Sequence, residues 1–575
     1  MLQNAAFDRR DFLKGAAAVG GAAAAGAVLT DGLAPATALA DEAEEEDATP
    51  TTEEIIIPHT ACENVTSFSS CTFDMDEPEP LAVPDEWDYE VDVVVAGTGG
   101  GLAGAARAAY LGASVIALET NSSYGGTSQE ACMYYFATGT DCQLAAGLDD
   151  LTDYLTSAAL DGYPVGEKYE KHVANCMQGI KDLVAWTTEL GLEWEPGWVD
   201  GEAKMSYAVV PVGTQDGWNS YRIMQTVENF YNDIFLEYGG EYMFSTPITG
   251  LVMEDGAVVG VEATPKDTGE PLYIKANKGV ILATGGFTNN ISMLKAYCPA
   301  GLAQTMVNTA GASDNGEGIR IGLGAGAQLD GYNNRGIFDG GIEGVNWLHH
   351  LYAPDIQIAR QPWLQVDTMG DRQFYNHTNY ESFGYQIAAM PNSKIFSFFD
   401  ANWYENCKDW TLPMCRNLPK EDMPNQDRWD GIISTDWKPE VEAAIEEGRI
   451  KSADTFEELA ELLGLPPAKL VAAVEEWNAM VESGDGSEWG YDEEEWLKPL
   501  DTPPYYGQAL GCMMYSTRCG LSIDENQQVI AKNGELIPGL YAAGQNSGRP
   551  SGCVCGDVGY GATSAYLAAN AIMGA

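Results

Sequence analysis

Val91-Asp-Val-Val-Val-Ala-Gly97-Thr-Gly99-Gly100-Gly101, read with the acidic residue Glu119 that follows it, decides the fold of this chain. The run from Val93 to Ala96 is apolar, as expected of a central strand covered on both faces of a parallel sheet. It opens into glycines and then into Leu102-Ala-Gly104-Ala-Ala-Arg-Ala-Ala-Tyr-Leu111, a helix former with small residues on its packing side. Glycines let a backbone approach a pyrophosphate, and a helix N-terminus offers free N–H groups and partial positive charge. Ser114 to Leu118 forms the next strand, and Glu119 ends it at the spacing where a carboxylate accepts hydrogen bonds from ribose hydroxyls. Counted from Gly97, the third glycine position of the dinucleotide pattern holds Leu102, whereas Gly99, Gly101 and Gly104 match it strictly. Both registers stay open.

Two further segments turn a weak signal into a specific one. They are Val280-Ile-Leu-Ala283-Thr284-Gly285-Gly286-Phe287 and Pro538-Gly-Leu-Tyr-Ala-Ala-Gly544, the latter followed by Gln545. With the first segment, in this order, they point to FAD held in a doubly wound domain and to redox chemistry. Gly125-Gly126-Thr127-Ser128, just after Glu119 and Thr120, is a second glycine turn of the kind that a long FAD pyrophosphate and ribityl chain require, which favours FAD over NAD. No second dinucleotide fingerprint is visible, so electrons arrive from elsewhere. Asp557-Val-Gly-Tyr-Gly561-Ala562-Thr563 loosely matches sites where FMN is carried on a threonine. The same residues open a helix whose amides meet a flavin pyrimidine. That second explanation suffices, and the FAD is expected to be non-covalent.

These residues resemble the superfamily of fumarate reductase and 3-ketosteroid dehydrogenase flavoproteins, from about Trp87 to the C-terminus. The likeness also rests on Gly316-Glu-Gly318, Gly370-Asp-Arg372-Gln-Phe374, Pro503-Pro-Tyr-Tyr506 and Gly559-Tyr-Gly-Ala-Thr563. It implies an α/β fold: a Rossmann-like FAD-binding domain split by an inserted α+β capping domain. The implied segments are residues 86–358 and 512–575 for the FAD domain and 359–511 for the cap.

Relatives that reduce fumarate hold the dianion with histidines and arginines. Here no histidine lies beyond His377, and their His-Thr-x-Gly-Gly segment reads Tyr515-Ser-Thr-Arg518-Cys519-Gly520. Tyr404 stands in the place of their proton-donating arginine. A buried dicarboxylate without paired cations costs several kcal/mol, on the order of the penalty for burying any uncompensated ion. Fumarate is therefore disfavoured, although Arg518 or Arg549 could hold one carboxylate. In the ketosteroid branch, Tyr506 matches a catalytic tyrosine and Tyr380 matches another more loosely, with His377 where an acid is usual; Cys519-Gly520 matches the amide donors. Met133-Tyr134-Tyr135-Phe136 offers either an aromatic wall or plain core packing.

The expected activity is reduction of an activated C=C bond, enone-type and steroid- or polyphenol-like, by hydride transfer from flavin N5. The alternatives are a ketosteroid dehydrogenase working oxidatively, a fumarate- or enoate-type reductase, and a flavin electron carrier without a substrate. A membrane quinol or cytochrome partner is the expected electron donor.

The N-terminus carries its own instruction. Asp8-Arg9-Arg10-Asp-Phe12-Leu13-Lys14, an alanine- and glycine-rich run and Ala38-Leu-Ala40 make residues 1–40 a twin-arginine signal peptide. Export places the protein in the periplasm or on the outer face of the cytoplasmic membrane. Residues 41–85 are acidic and rich in Thr and Pro, which reads as a disordered linker. A formal net charge of −55 excludes nucleic acid and anionic lipid as partners, and no later stretch is long enough to span a bilayer. Among twelve cysteines only Cys512, Cys519, Cys553 and Cys555 group together, without the tight runs of iron–sulfur ligands. Buried thiols or a disulfide are expected there, and no metal.

Overall fold

The computed structural model describes residues 72–131, 135–160, 166–199, 203–214, 221–304, 307–308, 314–341, 358–375, 380–407, 437–491, 494–548 and 555–575. The signal peptide and residues 41–71 of the acidic linker lie outside them. From Thr72 onward the expected linker is bound to the domain. Thr72 N–H donates to Asn289 O, and Leu81 N–H donates to Leu251 O. Phe73 packs on the apolar core and Asp74 pairs with Arg320. Average composition hides these few anchors, so the domain reaches back to Thr72, earlier than the sequence implies.

β1 (Tyr89–Ala96) leads through the glycines into α1 (Gly101–Tyr110) and then β2 (Val115–Leu118). The short helix α2 (Gly126–Glu130) carries the second glycine turn, and α3 (Glu167–Glu189) is the longest helix among the described residues. β3 (Glu241–Met243) follows, then the hairpin β4 (Ile248–Glu254) and β5 (Ala257–Ala263), then β6 (Leu272–Leu282). β1 lies parallel between β2 and β6, with Ala96 opposite Leu118 and Leu282. Val93, Val94 and Val95 are fully buried, as the apolar run required.

After α4 (Glu317–Gly324) the chain builds a second, largely antiparallel sheet. Its strands are β7 (Arg335–Gly341), β8 (Leu364–Asp367), β9 (Lys394–Phe399), β10 (Lys451–Ala453) and the long β11 (Tyr505–Thr517). Trp363, Phe398, Phe399 and Trp477 form a separate apolar core under this cap. β11 pairs with β9 and β10 at Tyr506 and with β7 at Thr517, so one strand runs unbroken across residues 511–512. The chain then returns to the first sheet as β12 (Gln528–Ile530) and β13 (Leu536–Ala542), and closes with α5 (Asp557–Met573). The first sheet runs β12-β13-β6-β1-β2-β3, with the β4–β5 hairpin added on β6.

Because β1, β6 and β13 are mutually parallel, their C-terminal glycine turns emerge at one end of the sheet, the usual place for a ligand in such a fold. Small residues let the covering helices sit close. A Cβ on Gly100 would lie 2.6 Å from Gly561 Cα, and one on Gly104 would lie 2.6 Å from Ala565 O. Gly104→Val therefore drives α1 off α5. The expected loss is about 1–3 kcal/mol, the usual size of an overpacking penalty, read as a lower denaturation midpoint by circular dichroism.

Candidate active site

The cradle begins at Glu119, which is 4% exposed. Its Oε2 accepts from Thr98 N (3.1 Å) and Thr98 Oγ1 (2.6 Å), and its Oε1 accepts from Asn121 N and Nδ2, both at 2.9 Å. The carboxylate is thus fixed at the β2 exit beside Thr120, whose carbonyl accepts from Lys266 Nζ at 2.6 Å. The two glycine turns lie against each other. Gly125 N–H donates to Thr98 O, and a Cβ on Gly99 would sit 3.1 Å from Ser128 Oγ. Gly97, with φ 97°, faces Ala283 so closely that any Cβ would collide with the Ala283 carbonyl, and a Cβ on Gly101 would come within 2.8 Å of Ala283 Cβ. Gly126 and Thr127 open α2 directly over this crossing.

At the other end Asn546 ties two of the turns together. Its Oδ1 accepts from Thr284 N (2.7 Å) and Thr284 Oγ1 (3.1 Å), while its Nδ2 donates to Gly285 O (2.6 Å). Gly544 N–H donates to Ser564 Oγ of α5, and Thr517 Oγ1 accepts from Phe287 N–H at 3.0 Å. The bend at Gly285–Gly286, the Gly544 turn and the end of β11 therefore converge. Gln545 Oε1 points at Gly286 and is buried there with no hydrogen-bond partner. A buried acceptor without a donor costs free energy unless a ligand supplies one. A cradle of glycine-rich backbone turns together with an orphaned acceptor fits FAD. Thr563 lies in the helix interface, its methyl facing Gly179 of α3 beside the fully packed Ala562, while its buried Oγ1, like Gln545 Oε1, has no hydrogen-bond partner among the described residues.

The catalytic candidates separate. Arg518 is at the cradle, 2% exposed. Its Nε and Nη2 donate to Asp557 Oδ1 (3.2 Å) and Oδ2 (2.7 Å), and Nη2 also donates to Tyr515 OH at 2.7 Å. Asp557 sits in the first turn of α5, where the helix dipole favours a carboxylate. Tyr515 reaches this place through a register shift: Gly336 pairs with Ser516 and Ile337 with Met514, leaving Tyr515 as the bulged residue. Bulges re-aim side chains, and Tyr515 alone in the stretch from Cys512 to Leu521 is only half-buried. Tyr506, nine residues before Tyr515 on β11, is roughly 30 Å away along the strand at about 3.3 Å per residue. It packs on Phe399 in the cap core (ring centroids 5.5 Å), where burial and then Asp400 and Glu442 push its phenol pKa up. Tyr404 also packs there, its ring 4.4 Å from Lys438 Nζ. Tyr380 begins a cap helix, Tyr380–Ala389, but its side chain lies outside the described residues. So do His377, Arg549, Cys553, Met133 and Tyr134.

Sequence reasoning missed Asn546 and Asp557 as site residues and passed over Tyr515. The only available signal for Tyr515 was its position just before Arg518-Cys519-Gly520, because a bulge leaves no mark in the sequence. Cys512, Cys519 and Cys555 are buried. No group of three metal-ligating side chains and no helix long and apolar enough to cross a membrane occurs among the described residues.

A parallel sheet with glycine turns at one end, closed over by a sheet-and-helix cap, defines a flavin-dependent oxidoreductase. Residues 92–334 and 349–554 match the family model described as FAD binding domain, and the chain belongs to that family. Residues 6–26 match the signal sequence of the TAT (twin-arginine translocation) pathway, so the protein is exported by that route. Among relatives, an NADH:acrylate oxidoreductase of Vibrio harveyi is 29% identical over 54% of this chain. The match spans only 28% of that enzyme's length. A vinyl phenol reductase of Lactiplantibacillus plantarum is 26% identical, with 80% of this chain and 90% of the relative covered. The fold matches 3-ketosteroid-Δ4-(5α)-dehydrogenase of Rhodococcus jostii RHA1 with a TM-score of 0.62 at 24% identity, covering 86% of this chain and 100% of that one.

The Arg518–Asp557 pair is almost fully buried, with side chains 3% and 11% exposed. Asp557→Ala removes the bidentate carboxylate partner of a buried cation. It should cost about 3–5 kcal/mol of stability, as breaking one side of a buried ion pair does, measured by denaturant unfolding.

Proposed function

We propose that this protein reduces an activated C=C bond in a neutral, cyclic or aromatic acceptor of the enone class, such as a steroid or polyphenol. Electrons would come from a membrane quinol or cytochrome donor. The relatives, among them an acrylate oxidoreductase, a vinyl phenol reductase and a ketosteroid dehydrogenase, support CH–CH chemistry. The observation that carries the acceptor class is the Tyr515–Arg518–Asp557 chain. Arg518 can only donate hydrogen bonds, so its contact with Tyr515 OH leaves the phenol proton for another acceptor. It also favours the phenolate that remains once the proton has left. FAD, when bound, supplies a hydride to the β-carbon. Tyr515 polarises the carbonyl or protonates the α-carbon, and a positioned acid of this kind contributes about 10²–10⁴-fold in rate. Asp557 neutralises Arg518, which weakens the case for a dicarboxylate.

On this reading the catalytic role falls to Tyr515 with Arg518 as its positioning partner, while Tyr506 and Tyr404 belong to the cap core. The FAD domain comprises residues 86–358 and 512–575, the cap 359–511, and β11 is shared between them. The FAD is non-covalent, because Thr563 is turned into the α3–α5 interface. A second reading, an enoate reductase holding one carboxylate, is favoured by Arg335. It opens β7 opposite Thr517, and its backbone carbonyl accepts from Arg518 Nη1 at 3.4 Å.

The test is anaerobic reoxidation of the reduced flavoprotein, followed by its visible absorbance, with a neutral cyclic enone, an aryl enoate and fumarate added separately. Rapid reoxidation by the enone and none by fumarate is expected; rapid reoxidation by fumarate overturns the proposal. Tyr515→Phe should lower kcat with the enone by about 10²–10⁴-fold, the range for losing a general acid, with KM little changed.

A further inference from the structure

Asp314 is a buried carboxylate that the reaction just described does not use. It is 6% exposed and lies at the start of the segment leading into α4. Its Oδ2 accepts from Thr288 N at 3.1 Å and, through a very short contact, from Thr288 Oγ1. The Gly286 N–H also donates to it. Its Oδ1 touches the bend itself: a Cβ on Gly285 would lie 2.7 Å from that oxygen. Asp314 is thus pressed against the same Gly285–Gly286 bend that Thr517 and Gln545 approach from the other side.

Among the described residues no cation stands against it: burial pushes its pKa up, opposed by the hydrogen bonds from Thr288 and Gly286. Neighbouring segments contribute Thr288, Asn289 and Asn290 from the β6 exit, Thr517 from β11 and Gln545 from the Gly544 turn. Glu317 on α4 answers instead to Arg320, Lys266 and Asp74; burial raises its pKa to about 7. A lone carboxylate in a low-dielectric site takes up a proton readily when negative charge arrives nearby.

Resting on the FAD reading above, we propose that Asp314 is a redox-linked proton site. When the flavin held at the Gly285–Gly286 bend takes two electrons from a quinol or a one-electron protein donor, two protons enter. One goes to the ring and the other to an Asp314 carboxylate oxygen, so no net charge is added to the buried site. When the hydride leaves for the substrate, Asp314 releases its proton to solvent and returns to the carboxylate.

The test is the pH dependence of the flavin midpoint potential in the purified holoenzyme. With a two-electron couple, each proton taken up contributes about 30 mV per pH unit. Wild type should show a window at neutral to alkaline pH with two protons per two electrons, and Asp314→Asn should show one proton there. Thr288→Val removes a donor to the charged form, so the break between the two slopes should move to higher pH. Reduced-minus-oxidised infrared spectra of the wild type should gain the carbonyl stretch of a protonated carboxylic acid, which is lost in Asp314→Asn. If Asp314→Asn fails to fold or to hold flavin, the wild-type spectrum decides alone: no such band overturns the proposal. Equal slopes in wild type and Asp314→Asn overturn it as well. A protein with no flavin couple at all would instead overturn the FAD reading.

Discussion

Gly97 meets the carbonyl of Ala283 with no room for a methyl group between them, and the site is organised around that backbone-to-backbone approach. It brings the exits of β1 and β6 together. The parallel register then carries the Gly544 turn to the same end of the sheet. A long cofactor can lie across such a crossing because glycine keeps it free of bulky side chains. The side chains that finish the site, Asn546, Thr517 and Gln545, act on a frame that glycine has already set.

The polar groups around that frame divide by how they are satisfied. Glu119 and Asn546 have protein partners for their oxygens and serve as rigid fixtures. Gln545 Oε1 has none. Arg518 and Asp557 cancel each other's charge within the wall of the site, so their contribution is direction more than field. Asp314 is the exception, a carboxylate with hydrogen bonds but, among the described residues, no counter-ion.

Much of the architecture was legible in the sequence, because parallel strands, glycine turns and small-residue helices each leave a compositional mark. Glu119 was legible for the same reason: its distance from Gly97 is fixed by one βαβ unit. Tyr515 was not, since its exposure depends on where β7 and β11 lose register. Asp314 was hidden in Ser-Asp-Asn-Gly, which reads as an ordinary turn. Tyr506 lies at the cap end of β11, and Pro-Pro-Tyr-Tyr identifies the start of a strand but not which end of it reaches the site. The anchors at Thr72 and Leu81 were invisible in a segment whose average composition is acidic and polar.

β11 has a consequence for how distant parts of the molecule communicate. Side chains on a strand alternate faces, so a slip of one residue exchanges every inward position for an outward one. The pairing of Tyr506 with Phe399 and Ser452, deep in the cap, therefore fixes, together with the bulge at Tyr515, which face Thr517 presents to Phe287. The strand behaves like a ruler clamped at both ends, and its middle cannot be lengthened or shortened unnoticed. An insertion or deletion in the cap's half of β11 would be felt at the cradle as an error of phase, without altering a residue there.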